Sequence, residues 1–435
     1  MYLNNILCFF QNLLKHVYET SFILKKIDWL IGANIFLLFF VSIFAPSDNI
    51  GCFAIFSIIL TAIKLLCKSG EKFELNTADK FLLVYFLFVL ISVAGSTLFY
   101  LSLKGFFKTV TYIGFYISLV HYLKDNKHVI KYLLILLGIC AGIESLTAIH
   151  QNFLSVSEIS GWQDMSRLNP EEVMTRVYGT LKPLNPNLFG GYMLSVLPAA
   201  LLCGVLPLKS GHYKLSAIGF STFLLSLFAI VLTGCRGAYI GLFIEIILIS
   251  ILIYRVLKPV YKKFFTAAAS VFALITCFVV VTLPSLRARV FSIFAFRGDS
   301  SNSFRFNVYN SCIQMFKDNW LLGIGCGNQN FREIYGLYMK TGFDALSAYN
   351  IYLETAVESG IFALAAFIGF LYFNIKKAVR YISANNDEYS LYVAAALISV
   401  FGMLVHGFVD TVFFRPQIQF VFWLMVAIIR VVVKN

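Results

Sequence analysis

The chain has 435 residues, of which 59% are hydrophobic and 13% are charged, and its net charge is +13. Soluble globular proteins contain about 25% charged residues, so this composition excludes an ordinary soluble protein and indicates that lipid surrounds most of the surface. No hydrophilic block is long enough to form a separate domain. We therefore expect a single polytopic membrane domain over residues 27–433. We expect an interfacial amphipathic segment over residues 1–26 and no removable signal peptide.

Apolar runs long enough to cross a membrane recur along the chain. A helix needs about 20 mostly apolar residues to span a bilayer, and the sequence contains about twelve such runs. They lie at residues 27–45, 50–66, 81–103, 105–123, 129–149, 188–206, 215–233, 237–254, 264–283, 351–373, 388–408 and 416–433. The sequence therefore predicts an all-α, polytopic integral membrane helix bundle. Its long loops are residues 150–187 and 284–350, the second between the ninth and tenth spans.

The distribution of lysine predicts the orientation of the bundle, and the distribution of arginine indicates a function for its outer face. Lysines are dense in the short connections at one end of the predicted spans, which marks that end and both termini as cytoplasmic. The outer side is instead rich in arginine, whose planar fork suits two-point binding of phosphate or carboxylate. These residues either bind lipid headgroups and loop acids or form an anion site. The outer arginines are Arg167, Arg176, Arg236, Arg287, Arg289, Arg297, Arg305, Arg332 and Arg415.

The first polar motif precedes the sixth span. Asn185-Pro186-Asn187 is a turn followed by a helix start, in which we expect Asn187 to cap the helix. Arg176 lies upstream in a polar loop and is freer to bind a ligand.

The second motif is Arg236, which stands between Gly234 and Gly237 at the junction of two spans. A charge at a span end can simply extend to the interface. Because the connection here is so short, we favour a functional arginine held at a tight turn on the outer rim. Glu245, further along the same span, is an intramembrane acid that needs a partner.

The third motif runs from Arg305 to the tenth span. After an amphipathic helix, the glycine-rich sequence LLGIGCG reads as a turn that packs an apolar loop onto the bilayer surface. Asn350, Glu354 and Glu358 then recur every four residues and form one stripe on a helix. Two carboxylates cannot face lipid, so the stripe faces the bundle interior or a wet cavity. The structural alternative is a pair with an arginine, which Arg305 or Arg236 would supply.

The fourth motif is HGFVDTVFFRP at the end of the eleventh span. His406 and Asp410 are four residues apart, and Arg415 follows. A histidine bonded to a carboxylate is a usable general base near neutral pH. A buried structural contact is an equally ordinary interpretation.

The nine cysteines have no metal-binding spacing. Cys312 and Cys326 lie in the same outer loop and have the option of pairing. No metal, cofactor or nucleic-acid partner is predicted, and the sequence leaves the oligomeric state open.

Taken together, these motifs resemble the O-antigen ligase and polymerase superfamily over about residues 170–430. The resemblance rests on five features in order: the Asn-Pro-Asn motif with Gly190-Gly191, Arg236-Gly237-Ala238, Arg305 with LLGIGCGN, NIYLETAVESG at 350–360, and HGFVDTVFFRP at 406–416.

The resemblance implies an enzyme of the bacterial plasma (inner) membrane. It would transfer a glycan from an undecaprenyl-pyrophosphate carrier to a hydroxyl acceptor. Arg236 and Arg305 would hold the pyrophosphate, with Arg176, Asn350 and Arg415 as further candidates for binding the anion. The family has a histidine where this chain has Tyr349, and an unperturbed tyrosine has a pKa of about 10.

Because a phenol is a poor base, the other candidates for the acceptor's proton are Glu354, Glu358, and the His406–Asp410 pair.

The S-A-Y-N form and DTVFFRP are most similar to a cyanobacterial branch named as bicarbonate transporters. This similarity implies inorganic-carbon uptake as an alternative function. A third alternative is a relative that binds lipid-linked glycan without catalysis. Alternating access favours a site near the midplane and internal repeats, whereas the motifs here cluster at the outer rim.

Overall fold

A computed structural model describes residues 2–153 and 174–433, so Arg167 and most of the first outer loop lie outside the described residues. Within the described ranges the regular structure is helical and contains no β-strand. The helices are α1 Tyr2–Thr20, α2 Phe22–Lys25, α3 Ile27–Val41, α4 Ser47–Cys67, α5 Thr77–Ala94, α6 Phe99–Asp125, α7 Val129–Asn152, α8 Pro186–Lys209, α9 Tyr213–Leu232, α10 Arg236–Val256, α11 Pro259–Thr282, α12 Pro284–Phe291, α13 Ser300–Asp318, α14 Asn328–Tyr335, α15 Ile351–Ala384, α16 Glu388–His406 and α17 Pro416–Val432. Short 3₁₀ helices occupy Ser292–Phe294, Phe296–Gly298 and Val412–Phe414.

The helices confirm the predicted class, an all-α polytopic membrane protein. Among the described residues, nine helices are long and apolar enough to cross a membrane, and α3 and α17 are shorter apolar helices. When α6 is added to these eleven helices, there is one helix for each of the twelve predicted spans. The third span, predicted to reach residue 103, ends nine residues earlier than expected. Helix α5 ends at Ala94 because Ser96 turns away and donates a hydrogen bond to the Ile324 carbonyl (2.8 Å).

Burial divides the spans into central and peripheral helices. Helices α8 and α17 are buried over most of their length, as expected for helices that are apolar on every side. They pack against α6, α7, α9 and α16. In contrast, α11 has no buried residue. The polar starts of α8 and α17 are thereby fixed at one end of the bundle, where the sequence places its outer arginines.

Glu245 on α10 does not have the predicted partner. Both of its carboxyl oxygens are buried and make no hydrogen bond within the described part of the chain. The side chain packs against Gly402 of α16, where a Cβ would overlap it. An unpaired acid at this depth is compatible with the neutral form of the carboxyl.

Helix α15 is interrupted at Gly360, which has a φ of 79° and leaves carbonyls without partners inside the helix. The loop after α13 fills this break. Ile324 N donates to Val357 O and Gly325 N donates to Glu358 O, both at 2.9 Å, while Ile361 N donates to Trp320 O. The prediction that LLGIGCG lies on the bilayer surface is therefore wrong. The carbonyl groups left unpaired by the break in α15 accept hydrogen bonds from the loop, so the loop packs there and not at the membrane interface.

Replacing Gly360 with alanine is expected to destabilise the protein by about 2 kcal/mol, because a side chain at positive φ is strained. The added Cβ would also overlap the carbonyl oxygen of Leu321. The effect is measured as a lower thermal midpoint of the detergent-solubilised chain. The control is Gly51→Ala in α4, where a Cβ meets nothing within 4 Å. Equal midpoints for the two variants would contradict the importance of the break.

Candidate functional site

The residues that the sequence singled out converge at the start of α8. The Arg176 side chain donates to Thr233 O through Nε (2.7 Å) and to Asn187 Oδ1 through Nη2 (2.6 Å). Asn187 Nδ2 then donates to Asp410 Oδ2 at 2.9 Å. Arg305 Nη2 reaches the same oxygen at 3.5 Å. One chain of contacts thus joins two predicted arginines to the predicted carboxylate through Asn187.

Asn187 has a different role from the predicted helix cap. The cap of α8 is Asn185, whose Oδ1 accepts from Asn187 N (2.7 Å) and Leu188 N (3.3 Å). Because Pro186 at the first helical position has no N–H to be capped, the cap falls one residue before it. Asn187 is then left in the first turn with its side chain free for the site. The position of the proline is the signal from which this role follows.

A second ion pair lies beside the first group of contacts. Arg236 Nη1 donates to Asp299 Oδ1 (2.7 Å) and to Ser292 Oγ (3.2 Å). Asp299 also caps α13 by accepting from Asn302 N at 3.0 Å. Burial alone would raise the pKa of the Asp299 carboxyl, but the hydrogen bond and charge of Arg236 outweigh it and hold the pKa below its usual value. Asp299 therefore remains ionised at neutral pH.

Arg289 joins this site, although sequence analysis assigned no specific role to it. Its Nε donates to Gly234 O at 2.6 Å, directly beside the Thr233 carbonyl that binds Arg176. The turn between α9 and α10 thus holds an arginine on each of two successive carbonyls. No local pattern distinguishes Arg289 from Arg287 in the sequence. We call Arg176, Arg236, Arg289 and Arg305 the arginine cluster.

Arg305 is the member of the cluster with an unused hydrogen-bond donor. Its Nε is buried and has no hydrogen-bond partner among the described residues. Its Nη1 makes only a long contact to Ser301 Oγ, at 3.4 Å. A buried N–H without an acceptor costs free energy, so this position favours an incoming oxygen ligand.

Tyr349 packs beside Arg305, with the guanidinium carbon 5.7 Å from the ring centroid. Its φ of 51° is unusual for a residue with a side chain, and its carbonyl accepts from Tyr309 Oη at 3.1 Å. Burial, followed by the charge of Asp410, raises the pKa of the Tyr349 phenol above its ordinary value of 10. The phenol therefore stays protonated at neutral pH and is a hydrogen-bond donor rather than a base.

His406 and Asp410 do not form the predicted hydrogen-bonded pair. His406 Nε2 lies 3.6 Å from Cys235 Sγ, and its ring packs against Gly191 and Gly237. The reason is that α16 ends at His406. The four-residue spacing is therefore not helical, and the two side chains diverge.

Glu354 and Glu358 do face the interior, as predicted, but neither pairs with an arginine. Glu354 Oε2 accepts from Ala348 N (3.0 Å) and Glu358 Oε1 accepts from Gly327 N (2.9 Å). They line a small cavity of about 100 Å³ together with Lys108. Backbone amides of the loop before α15 and of the inserted loop bind the carboxylates, so among the described residues the alternative of a structural pair with Arg305 or Arg236 is not formed. The two glutamates hold the loops before and beside α15.

Asn350 and Arg415 do not extend the arginine cluster. Asn350 is the cap of α15, where its Oδ1 accepts from Tyr352 N and Leu353 N, both at 3.0 Å. Arg415 is exposed and precedes α17.

Cys312 and Cys326 are free thiols, so they do not pair. Within residues 2–153 and 174–433, no group of three or more His, Cys, Asp or Glu side chains has the arrangement of a metal site.

The arrangement suits an extended anion. In the described part of the site, four arginines face two carboxylates, Asp299 and Asp410. The guanidinium groups present several N–H donors each, and the Nε of Arg305 has no acceptor among the described residues. Charge-assisted hydrogen bonds of this kind are the strong ones in proteins. An anionic oxygen ligand would satisfy this donor.

Comparison with known proteins supports the family indicated by the motifs. Residues 221–368 match the family model described as O-antigen ligase. No curated protein sequence matches the chain significantly. The matched region includes Arg236, Arg305 and Tyr349, but Arg176 and Asp410 lie outside it and reach the site only through the fold. Residues 221–368, about a third of the chain, are therefore similar to the O-antigen ligase family, in agreement with the resemblance of the motifs.

Proposed function

We propose that this protein transfers a glycan from undecaprenyl pyrophosphate to a hydroxyl acceptor. The observation that carries the proposal is the arginine cluster, in which Arg305 Nε is buried without an acceptor among the residues that the structure describes. A glycosyl pyrophosphate carries one negative charge on each phosphate group, and its anionic oxygens are suitable acceptors for the guanidinium donors of the cluster. The similarity of residues 221–368 to the O-antigen ligase family supports the same substrate class.

The leaving group would be held by Arg305 and Arg176. Both side chains already meet through Asn187 and Asp410, with contacts of 2.6 to 3.5 Å. As the bond between the sugar and the pyrophosphate breaks, negative charge grows on the phosphate oxygen. Preorganised guanidinium groups stabilise that charge without rearranging. Arg236 and Arg289 would add to the field, and Asp299 would fix the orientation of Arg236.

Asp410 is the carboxylate best placed to receive the acceptor's proton. It is buried at 5% exposure and lies directly against Arg305. In the proposed step, the acceptor oxygen bonds to the anomeric carbon and its proton passes to Asp410. The carbon–oxygen bond to the pyrophosphate breaks, and the pyrophosphate leaves with the bonding electron pair. Tyr349, which stays protonated, would donate a hydrogen bond to the leaving oxygen or to the sugar.

The proposed location is the bacterial plasma membrane, with the site on the extracytoplasmic face. The lysine-rich connections lie at the other end of the spans, and such residues favour the cytoplasmic side. Undecaprenyl-linked glycan would then reach the site from the outer leaflet. Segment 1–26 remains a proposed interfacial segment, and the structure forms helix α1 within it.

The test is a transfer assay with the full chain in proteoliposomes. Lipid-linked glycans extracted from the source cells are the donor, and undecaprenyl pyrophosphate is the binding probe. We expect glycan to appear on a hydroxyl acceptor. Binding without transfer would replace the proposal with a binding-only relative. No binding, together with accumulation of labelled bicarbonate, would replace it with the transporter.

Tyr349→His separates these outcomes further through pH. The wild-type phenol stays protonated, since its pKa lies above 10, so we expect no change in transfer from this residue between about pH 6 and 9. A histidine titrates near pH 6.5, so the variant gains a pH-dependent step there. Tyr349→Phe is the matched control without a titrating group. Transfer by the histidine variant alone would show that the natural site binds glycan without catalysis.

A further inference from the structure

We propose that a groove between α7, α8 and α9 binds an anionic phospholipid. This groove lies at the end of the bundle opposite the arginine cluster, because α8 begins beside Asn187 and ends at Lys209. It is independent of the proposed transfer reaction. The proposal commits to one acyl chain in the groove and a negatively charged headgroup at its basic end.

The walls of the groove are apolar. It has a volume of about 390 Å³ and is lined by Ile135 and Ile139 of α7, Leu206 of α8, and Leu215 and Ile218 of α9. Ile139 and Ile218 are 52% and 64% exposed, so the groove opens laterally toward lipid. Hydrocarbon is the favoured occupant of this surface, because contact between apolar side chains and water is unfavourable.

The polar groups within the walls already have partners. Thr222 Oγ1 donates to Ile218 O at 3.0 Å, and Ser210 Oγ donates to Leu206 O at 3.3 Å. The Cys203 thiol lies 3.9 Å from Ile135 O. The groove therefore offers no hydrogen-bonding pattern for a sugar or a peptide along its length. An unbranched acyl chain fits these walls.

Charge appears only where the groove meets the turn between α8 and α9. Lys209, His212 and Lys214 are exposed around this turn. Within the part of the chain that the structure describes, neither Lys209 nor Lys214 forms an ion pair within 4 Å, although the charge of Lys209 also acts on the Glu388 carboxylate. Lys131 also borders the groove but is paired with Glu388 at 3.4 Å. Two exposed lysines near this end of the groove thus have no carboxylate in direct contact among the described residues.

This combination selects an anionic phospholipid over other occupants. Basic pockets between transmembrane helices on the cytoplasmic side are typical binding sites for anionic headgroups. A zwitterionic lipid would fill the same groove without using the two lysines. A helix from a second copy of the chain would bury the walls but would leave the lysines without a counter-charge.

The test is native mass spectrometry of the full chain with added phosphatidylglycerol or phosphatidylcholine. We expect wild-type protein to retain phosphatidylglycerol preferentially. Each near-surface lysine contributes about a factor of five to the binding of an anionic lipid, so Lys209→Gln with Lys214→Gln should weaken phosphatidylglycerol binding about 30-fold. Both lysines are exposed, so the fold should be unaffected.

The matched control is Lys258→Gln with Lys263→Gln, which removes the same charge from the same end of the bundle. We expect this control to bind like wild type. Equal losses in the two double variants would reduce the effect to general surface attraction and overturn the site. Equal retention of both lipids by wild type would overturn it as well. Ile218→Trp should fill the groove and lower retention of either lipid, and unchanged retention would contradict the place assigned to the acyl chain.

Discussion

Replacing Asp410 with asparagine is expected to reduce glycan transfer by about 10²- to 10⁴-fold, the usual contribution of a positioned general base. Asparagine keeps the shape of the side chain and the acceptor for Val412 N, now 3.1 Å from Oδ1. It cannot take the acceptor's proton. Removing one negative charge beside Arg305 should leave undecaprenyl pyrophosphate binding unchanged or tighter. Transfer rates and binding of the pyrophosphate are therefore measured separately.

The control for Asp410 is Asp344→Asn. Asp344 is paired with Arg332 at 2.7 Å on the exposed surface of the outer loop, where ion pairs contribute little to stability. We expect transfer by this variant to match wild type. If Asp410→Asn lost binding and transfer by the same factor, the residue would hold Arg305 in place rather than accept a proton.

Replacing Arg305 with lysine is expected to lower both glycan transfer and undecaprenyl pyrophosphate binding, whereas Asp410→Asn should lower transfer alone. Lysine keeps the charge but loses the fork, including the Nε that has no partner in the described structure. Loss of one preorganised donor to a developing anion costs about 10²- to 10³-fold in turnover. Affinity for undecaprenyl pyrophosphate should fall as well, because the unused donor is where its oxygen would bind.

Arg332→Lys is the matched control for the Arg305 variant, because Arg332 also lies in the outer loop and also faces an aspartate. This change should leave transfer and pyrophosphate binding at wild-type values. If Arg305→Lys left both quantities intact, the pyrophosphate role of the arginine cluster would be abandoned. The two arginines differ mainly in burial, so the comparison isolates the site from the general charge of the loop.

Several local predictions were correct because they depend on composition and spacing alone. The twelve apolar runs each contain a helix, since the length needed to cross a bilayer is fixed by its thickness. The inward stripe of Glu354 and Glu358 was also confirmed, because carboxylates cannot face lipid. The separate distributions of lysine and arginine along the sequence also indicated which loops carry the arginines.

The predictions that failed concern partners rather than elements. His406 and Asp410 have helical spacing in the sequence, yet the helix ends between them. A pair with an arginine was the structural alternative for the glutamates, but backbone amides of the neighbouring loops bind them instead. Asn187 was interpreted as a cap, although Pro186 moves the cap to Asn185. In each case the partner was decided by where the helix begins or ends or by a neighbouring loop, and not by the spacing of the side chains.

The sequence by itself determined that this is an all-α membrane protein whose arginines gather at one end, because hydropathy and charge act locally along each span. Only the tertiary structure decided which of those arginines meet. Asn187 and Asp410 are 223 residues apart in the sequence, and Arg176 and Thr233 are 57 residues apart. No periodicity links such distant positions. They come together because α8, α10 and α16 pack side by side, which places their polar ends around one site.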